Sequence, residues 1–305
     1  MRKASKILIG GASGVVGTAL VRDFHANQIA AVRLVRKPSP ENEQEICWSP
    51  LSSRTIDDPS RLEGFDAVIH LSGANIAAHR WTPAYRGEIA ESRVQTTEVL
   101  AKLLAVLKNP PHVLLCASAT GIYGNRGDEI LTESSPPGSG FLAETCIAWE
   151  AAAQPAKAAG IRVVHLRFGV ALAPEVGALA RMLPLFRLGL GGNLGSGRQW
   201  MSWISMPDMV KAVSYALDNP GITGPVNIVA PAPVTNAEFT STLGRALHRP
   251  TIVPAPAFAL RAALGVMADE VLLASARVVP EQLTEAGFQF QHPRLDSALK
   301  TLLGK

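Results

Sequence analysis

Apolar residues are spaced along the chain in two alternating rhythms. The run Ile7-Leu8-Ile9 meets glycines at once, and beyond them apolar positions recur at helical intervals to Phe24. A buried strand, a tight turn and an amphipathic helix are predicted there. Further apolar runs of strand length cover 30–35, 66–74, 112–118 and 162–167, with a helix expected around 88–108. Strands separated by helices predict a doubly wound parallel sheet, whose ligand site lies beyond the carboxyl ends of the strands. The expected class is α/β. A Rossmann domain over 1–173 and 203–230 would be joined to a smaller C-terminal α/β substrate domain over 174–202 and 231–305.

Gly11, Gly14 and Gly17 form G-x-x-G-x-x-G between that first strand and helix. Glycine suits a turn in which backbone must approach a pyrophosphate and the helix must pack on the strand, while the helix N-terminus favours an anion. The turn residues Gly11, Ser13, Gly14, Val16 and Gly17 are therefore candidate dinucleotide contacts. A tightly packed helix start without a ligand is the alternative. The second strand ends in Arg36-Lys37, where an NAD-preferring fold carries an acid on the ribose 2′-hydroxyl. Arg36 suits the 2′-phosphate of NADP(H), because a guanidinium pairs with phosphate oxygens; a solvated loop arginine is the other reading. Ser72, Gly73, Ser118 and Arg167 fall at the carboxyl ends of predicted strands and converge on the same edge.

Composition narrows the partners. With 47% hydrophobic and 18% charged residues in 305, the chain is an ordinary folded protein. Its net charge of +4 is not gathered into a basic run, so an anionic small molecule is expected and nucleic acid is not. Cys47, Cys116 and Cys146 have neither disulfide-framework nor zinc-site spacing. They read as reduced thiols in a cytoplasmic protein with no metal. No apolar run reaches the roughly 18 residues of a membrane span, so no membrane is expected.

Several longer pieces resemble the atypical extended short-chain dehydrogenase/reductases, and more narrowly the epimerase-family proteins of the YfcH type. They are Gly10 to Gly17, Leu71-Ser-Gly-Ala74, Arg80-Trp-Thr82, Glu91-Ser-Arg93, Ser118 to Gly124, Trp149-Glu150, Leu166-Arg-Phe-Gly169 and Trp203-Ile204 with Asp208. Val278-Val-Pro280, Leu283, Gly287 to Phe290 and Pro293 resemble that family's small terminal domain. The resemblance implies NADP(H) held by the glycine turn with Arg36, Leu71, Ser72, Glu88, Arg93 and Arg167. It also implies a small-molecule substrate between the two domains. Where relatives carry Trp-Ile-His, this chain has Ser205. Asp208 is expected to open the helix that follows. Residues 174–202, with Arg181, Arg187 and glycines from Gly189 to Gly197, read as a loop over the cleft or as plain turns.

The superfamily's Tyr-x-x-x-Lys pair moves a proton to or from substrate oxygen. No tyrosine here has a lysine four residues on, and the matching positions hold Leu142 and Cys146. The assisting serine aligns with Ala119, one position from Ser118. Three readings follow. The first is an oxidoreductase on a small carbonyl or sugar-like compound, with Tyr123, Ser118 or Glu144 handling the proton and Tyr123 the leading candidate. The second is a non-catalytic NADP(H) sensor or partner-binding module, and the third a nucleic-acid binder. Apolar helices expected at 257–264 and 271–276 leave both a domain core and a homodimer face open.

Overall fold

The computed structural model describes residues 4–37, 44–50, 56 and 58–304. The first half runs β1 (Lys6–Gly10), α1 (Val15–Ala26), β2 (Ala30–Val35), β3 (Glu45–Cys47), β4 (Ala67–His70), α2 (Pro83–Ala105) and β5 (Val113–Ala119). Next come β6 (Ile130–Leu131), α3 (Phe141–Ala151), α4 (Gln154–Ala158), β7 (Arg162–Phe168), β8 (Val170–Leu172), α5 (Gly177–Arg187), β9 (Trp200–Met201) and β10 (Trp203–Ser205). The chain closes with α6 (Met206–Asp218), β11 (Gly224–Ile228), β12 (Val234–Thr235), α7 (Asn236–Leu247), α8 (Ala257–Leu264), β13 (Arg277–Val278), α9 (Glu281–Glu285) and α10 (Leu295–Leu302).

Seven strands form one sheet in the order β11-β7-β5-β4-β1-β2-β3, and every pairing in it is parallel. Strand order reverses between β1 and β4, which places the crevice of this doubly wound sheet at the carboxyl ends of those two strands. Both faces are covered. Ile7 and Ile9 point to one apolar cluster with α1 and α6, and Leu8 points to another with α2 and α4. That alternation is why β1 is apolar at every core position. A third cluster joins α5, α7 and α10 around Trp203 and Phe239.

The tail does not stay in that third layer. Leu283 and Phe288 pack into the cluster on the sheet, and β13 pairs with β6, so the C-terminal segment closes back on the first half of the chain. Asp208 makes the same junction. Its carboxylate accepts from the backbone amides of Gln291 and His292 at 2.8 Å, while Ser205 supplies the N-cap of α6. The expected helix-opening role therefore belongs to Ser205, and buried Asp208 ties down the tail.

Three boundaries differ from expectation. α2 starts at Pro83 instead of near Glu88, because Thr82 accepts from the Tyr85 amide and proline suits the first turn. Residues 174–202 are not all loop, since α5 buries Leu179, Leu183 and Phe186 along one face. A helix over 271–276 is absent: residues 268–272 wind as a single π turn, and β13 follows. Among the described residues no helix is long and apolar enough to cross a membrane.

Candidate cofactor and substrate site

The glycine turn is shaped by backbone contact. Gly11 takes φ +76°, and a Cβ there would lie 2.6 Å from the Leu71 carbonyl carbon, so the end of β1 rests directly on the end of β4. A Cβ on Gly17 would meet the Gly11 carbonyl oxygen at 2.3 Å and the Ala12 Cα at 2.7 Å. Neither neighbour can swing away, being backbone. Gly17→Ala is thus expected to push α1 off the turn and lower stability by about 1–3 kcal/mol, measurable by urea unfolding. An unchanged midpoint would mean that the turn relaxes freely.

Gly14 differs from both. It is exposed, and only the Gly11 oxygen, 3.3 Å away, limits a Cβ there. As N-cap of α1 it offers no side-chain cap, and the first turn carries no acid. The amide end of this twelve-residue helix is thus open at Gly14 and has no acid of its own in the first turn. Ser13 is exposed and Val16 half-buried beside it. Arg36 is exposed at the end of β2, Glu88 is exposed on α2, and Leu71, Ser72 and Gly73 follow β4.

His70 ends β4 beneath this turn. It is fully buried, its Nε2 lies 3.2 Å from Thr96 Oγ1, and its Nδ1 has no hydrogen-bond partner. Thr96 Oγ1 already donates to the Ser92 carbonyl, so Nε2 carries the proton and Nδ1 is the bare acceptor. Burial pushes its pKa down to about 4.

Arg93 reaches the same edge from α2. Its Nη1 donates to the Ile89 carbonyl at 3.0 Å, its guanidinium stacks 5.1 Å from the Trp149 ring centroid, and it abuts Gly73. No ion pair links it to Glu88 or Glu91 among the described residues. Burial lowers its pKa, partly offset by nearby Cys146 and Tyr85. Among the described residues this half-buried cation has no ion-pair partner, and it faces the strand ends. Leu142 packs over Gly121, and with Phe141, Ile76, Trp81 and Met267 it builds an apolar wall there. Burial, reinforced by Glu150, raises the Cys146 thiol to about 11 and keeps it neutral.

Glu150 organises the polar interior behind that wall. It takes a bidentate pair from Arg167 at 2.8 and 2.9 Å and a 2.7 Å bond from Ser118. Burial opposes the Arg167 charge, but the Glu150 carboxylate outweighs it and holds the guanidinium more firmly protonated. Arg167 also donates to Tyr123 Oη at 2.9 Å, and Tyr123 has Asn227 Oδ1 and the Thr132 carbonyl within reach as acceptors. Tyr123 is fully enclosed and burial raises its pKa. Tyr123, the leading candidate for moving a proton, is thus enclosed, with its hydroxyl held inside this network. Ser118 is also buried, with its hydroxyl committed to Glu150. Arg167, expected at the cofactor, points its guanidinium into this network.

Two participants carried no functional signal in the sequence reading. His70 was visible only as a polar residue in an apolar run. Glu270 had no local signature, yet its carboxylate accepts from the Phe141 and Leu142 amides at 2.9 and 2.7 Å and caps α3 from the far end of the chain.

The chain is similar to known proteins along nearly its whole length. The model of the NAD dependent epimerase/dehydratase family matches residues 7–228, and that of the DUF1731 domain matches 255–302. Epimerase family protein Mb2239 of Mycobacterium bovis is 47% identical over 293 residues, covering 96% of each chain. YfhF of Bacillus subtilis is 36% identical over 302 residues, covering 97% of each. The crystal structure of human SDR39U1 with NADPH superposes with a TM-score of 0.89 at 33% identity, covering 98% of this chain and 99% of that one.

Proposed function

Because the chain belongs to the NAD dependent epimerase/dehydratase family and carries a C-terminal DUF1731 domain, we propose that it is an NADP(H)-dependent oxidoreductase lacking the Tyr-x-x-x-Lys pair. Its substrate class is a small carbonyl or sugar-like compound. The observation that carries this reading is the pairing of an uncapped α1 N-terminus with an unpaired, half-buried Arg93 across one strand-end crevice. Anionic and ribose groups of a dinucleotide fit those two positions. NADPH in the human relative supports the same assignment.

Gly11, Ser13, Gly14, Val16 and Gly17 would hold the diphosphate, Arg36 the 2′-phosphate, and Leu71, Ser72, Gly73, Glu88 and Arg93 the remainder. When bound, the nicotinamide supplies or accepts hydride. Arg93 provides positive charge for an oxygen that gains electron density. Leu142, Phe141 and Trp81 keep water from the reacting end. Tyr123, Ser118 and Arg167 keep the sheet edge rigid around Glu150. A second reading, a non-catalytic NADP(H) sensor, is favoured by the enclosure of Tyr123 and Ser118, two of the three side chains expected to handle the proton.

Titration with NADPH and NADH, followed by nicotinamide fluorescence, tests the cofactor. NADPH is expected to bind more tightly, and Arg36→Ala to erase the preference. Equal binding of the two in the parent would remove Arg36 from its role, and binding of neither would overturn the proposal. Hydride exchange across a panel of carbonyl compounds and sugar nucleotides then separates the readings: turnover supports the oxidoreductase, and tight binding with none supports the sensor.

A further inference from the structure

Two stretches of the chain contain no acid at all: 176–207, between Glu175 and Asp208, and 239–268, between Glu238 and Asp269. The first carries Arg181, Arg187 and Arg198, and the second Arg245, His248, Arg249 and Arg261. Folding brings the two together. The Val253 amide donates to the Gly191 carbonyl, the Gly195 amide to that of Ala255, and Arg249 Nε to that of Arg187 at 2.8 Å.

Large apolar side chains stand out from the same segments. Leu188 is 73% exposed, Ile252 80% and Phe258 75%, and Leu185, Leu190 and Val253 are exposed beside them. Such exposure leaves these side chains proud of the surface, not lining a groove that a small molecule could fill. α8 goes further. A surface helix ordinarily buries one apolar stripe, but α8, Ala-Phe-Ala-Leu-Arg-Ala-Ala-Leu, buries no residue, and its one charge, Arg261, is paired with Asp269.

We propose that this apolar and basic face rests on an anionic membrane surface as a peripheral attachment. Charge complementarity selects that occupant. A symmetric dimer through this face would bring the arginine-bearing segments of two copies together, with no acid in either segment to pair them. A bilayer with anionic headgroups meets both needs, since its interface accepts apolar tips while its charge attracts the guanidinium groups around them. Attachment is independent of the proposed reaction, and among the described residues no helix is long and apolar enough to span.

Flotation of the full chain with vesicles of phosphatidylcholine, alone or mixed with phosphatidylglycerol, reads this directly. Binding is expected only to the mixed vesicles, weakening as salt rises. Each basic residue near an anionic surface contributes about fivefold in partition, so Arg187→Gln with Arg245→Gln should lower binding on the order of thirtyfold. Leu188→Ser with Ile252→Ser should abolish it, and both pairs lie at exposed positions, so circular dichroism and NADPH binding should be unchanged. Absence of binding to mixed vesicles, or binding that survives in both variants, overturns the proposal. So does a concentration-dependent dimer, seen by light scattering, that Leu188→Ser with Ile252→Ser dissolves, because the occupant is then a second copy. Vesicle binding lost in the variants upholds it whatever the outcome for the reaction.

Discussion

Arg167→Leu is expected to destabilise the protein by about 3–5 kcal/mol, the range found when one partner of a buried ion pair is removed and the other remains. The geometry sets the size of the effect. Arg167 and Glu150 have side chains only 8% and 14% exposed, so little solvent is available to take over the abandoned carboxylate. Loss of the guanidinium also strips Tyr123 Oη of its donor. The double variant Arg167→Leu with Glu150→Leu should recover much of the loss, because no charge is then left uncompensated. Urea unfolding of the parent, the single and the double variant measures all three. Were Arg167→Leu to unfold like the parent while losing NADPH affinity, Arg167 would be the cofactor contact implied by family resemblance, and the Glu150 pairing would be incidental.

The second large effect is a loss of stability in mild acid that traces to His70. The unfolded side chain takes up a proton near pH 6.5, whereas the buried folded one resists until about pH 4. Its contribution is complete above pH 6.5 and disappears progressively as pH falls through 4. A gap of that size amounts to roughly 3 kcal/mol at about 1.4 kcal/mol per unit. His70→Gln keeps a donor for Thr96 and does not titrate, so its stability should fall less between pH 7 and pH 4 than that of the parent. Chemical denaturation at a series of pH values makes the comparison, and parallel curves would show that His70 is not responsible. The carboxylates are common to both proteins and cancel in the difference.

These two sites differ in how far they could be read in advance. His70 lies in the run Val-Ile-His-Leu, and a polar residue inside a strand that must be buried on both faces announces an unusual environment. Glu150 follows Trp149 on an otherwise unremarkable helix, and nothing local says that it reaches Ser118 and Arg167, which lie 32 and 17 residues away. Tyr123 is the instructive case. Its place after a strand end agreed with a catalytic role, but Asn227, 104 residues on, closes over the hydroxyl. Glu270 capping α3 across 129 residues is equally invisible to any local pattern.

What the sequence determined by itself was whatever depends on neighbours along the chain. Strand, glycine turn and helix at 6–26, the parallel α/β class, and the absence of tyrosine and lysine from the expected positions all followed from spacing and residue type. The tertiary structure alone decided which side chains are paired, enclosed or left facing outward. Ser205 rather than Asp208 capping α6, the closure of Tyr123, the unpaired Arg93 and the joining of two acid-free segments into one face each arise from contacts between distant parts of the chain. Local periodicity records which side of an element is buried, but not what lies against it. Hydrogen bonding and charge depend on that partner.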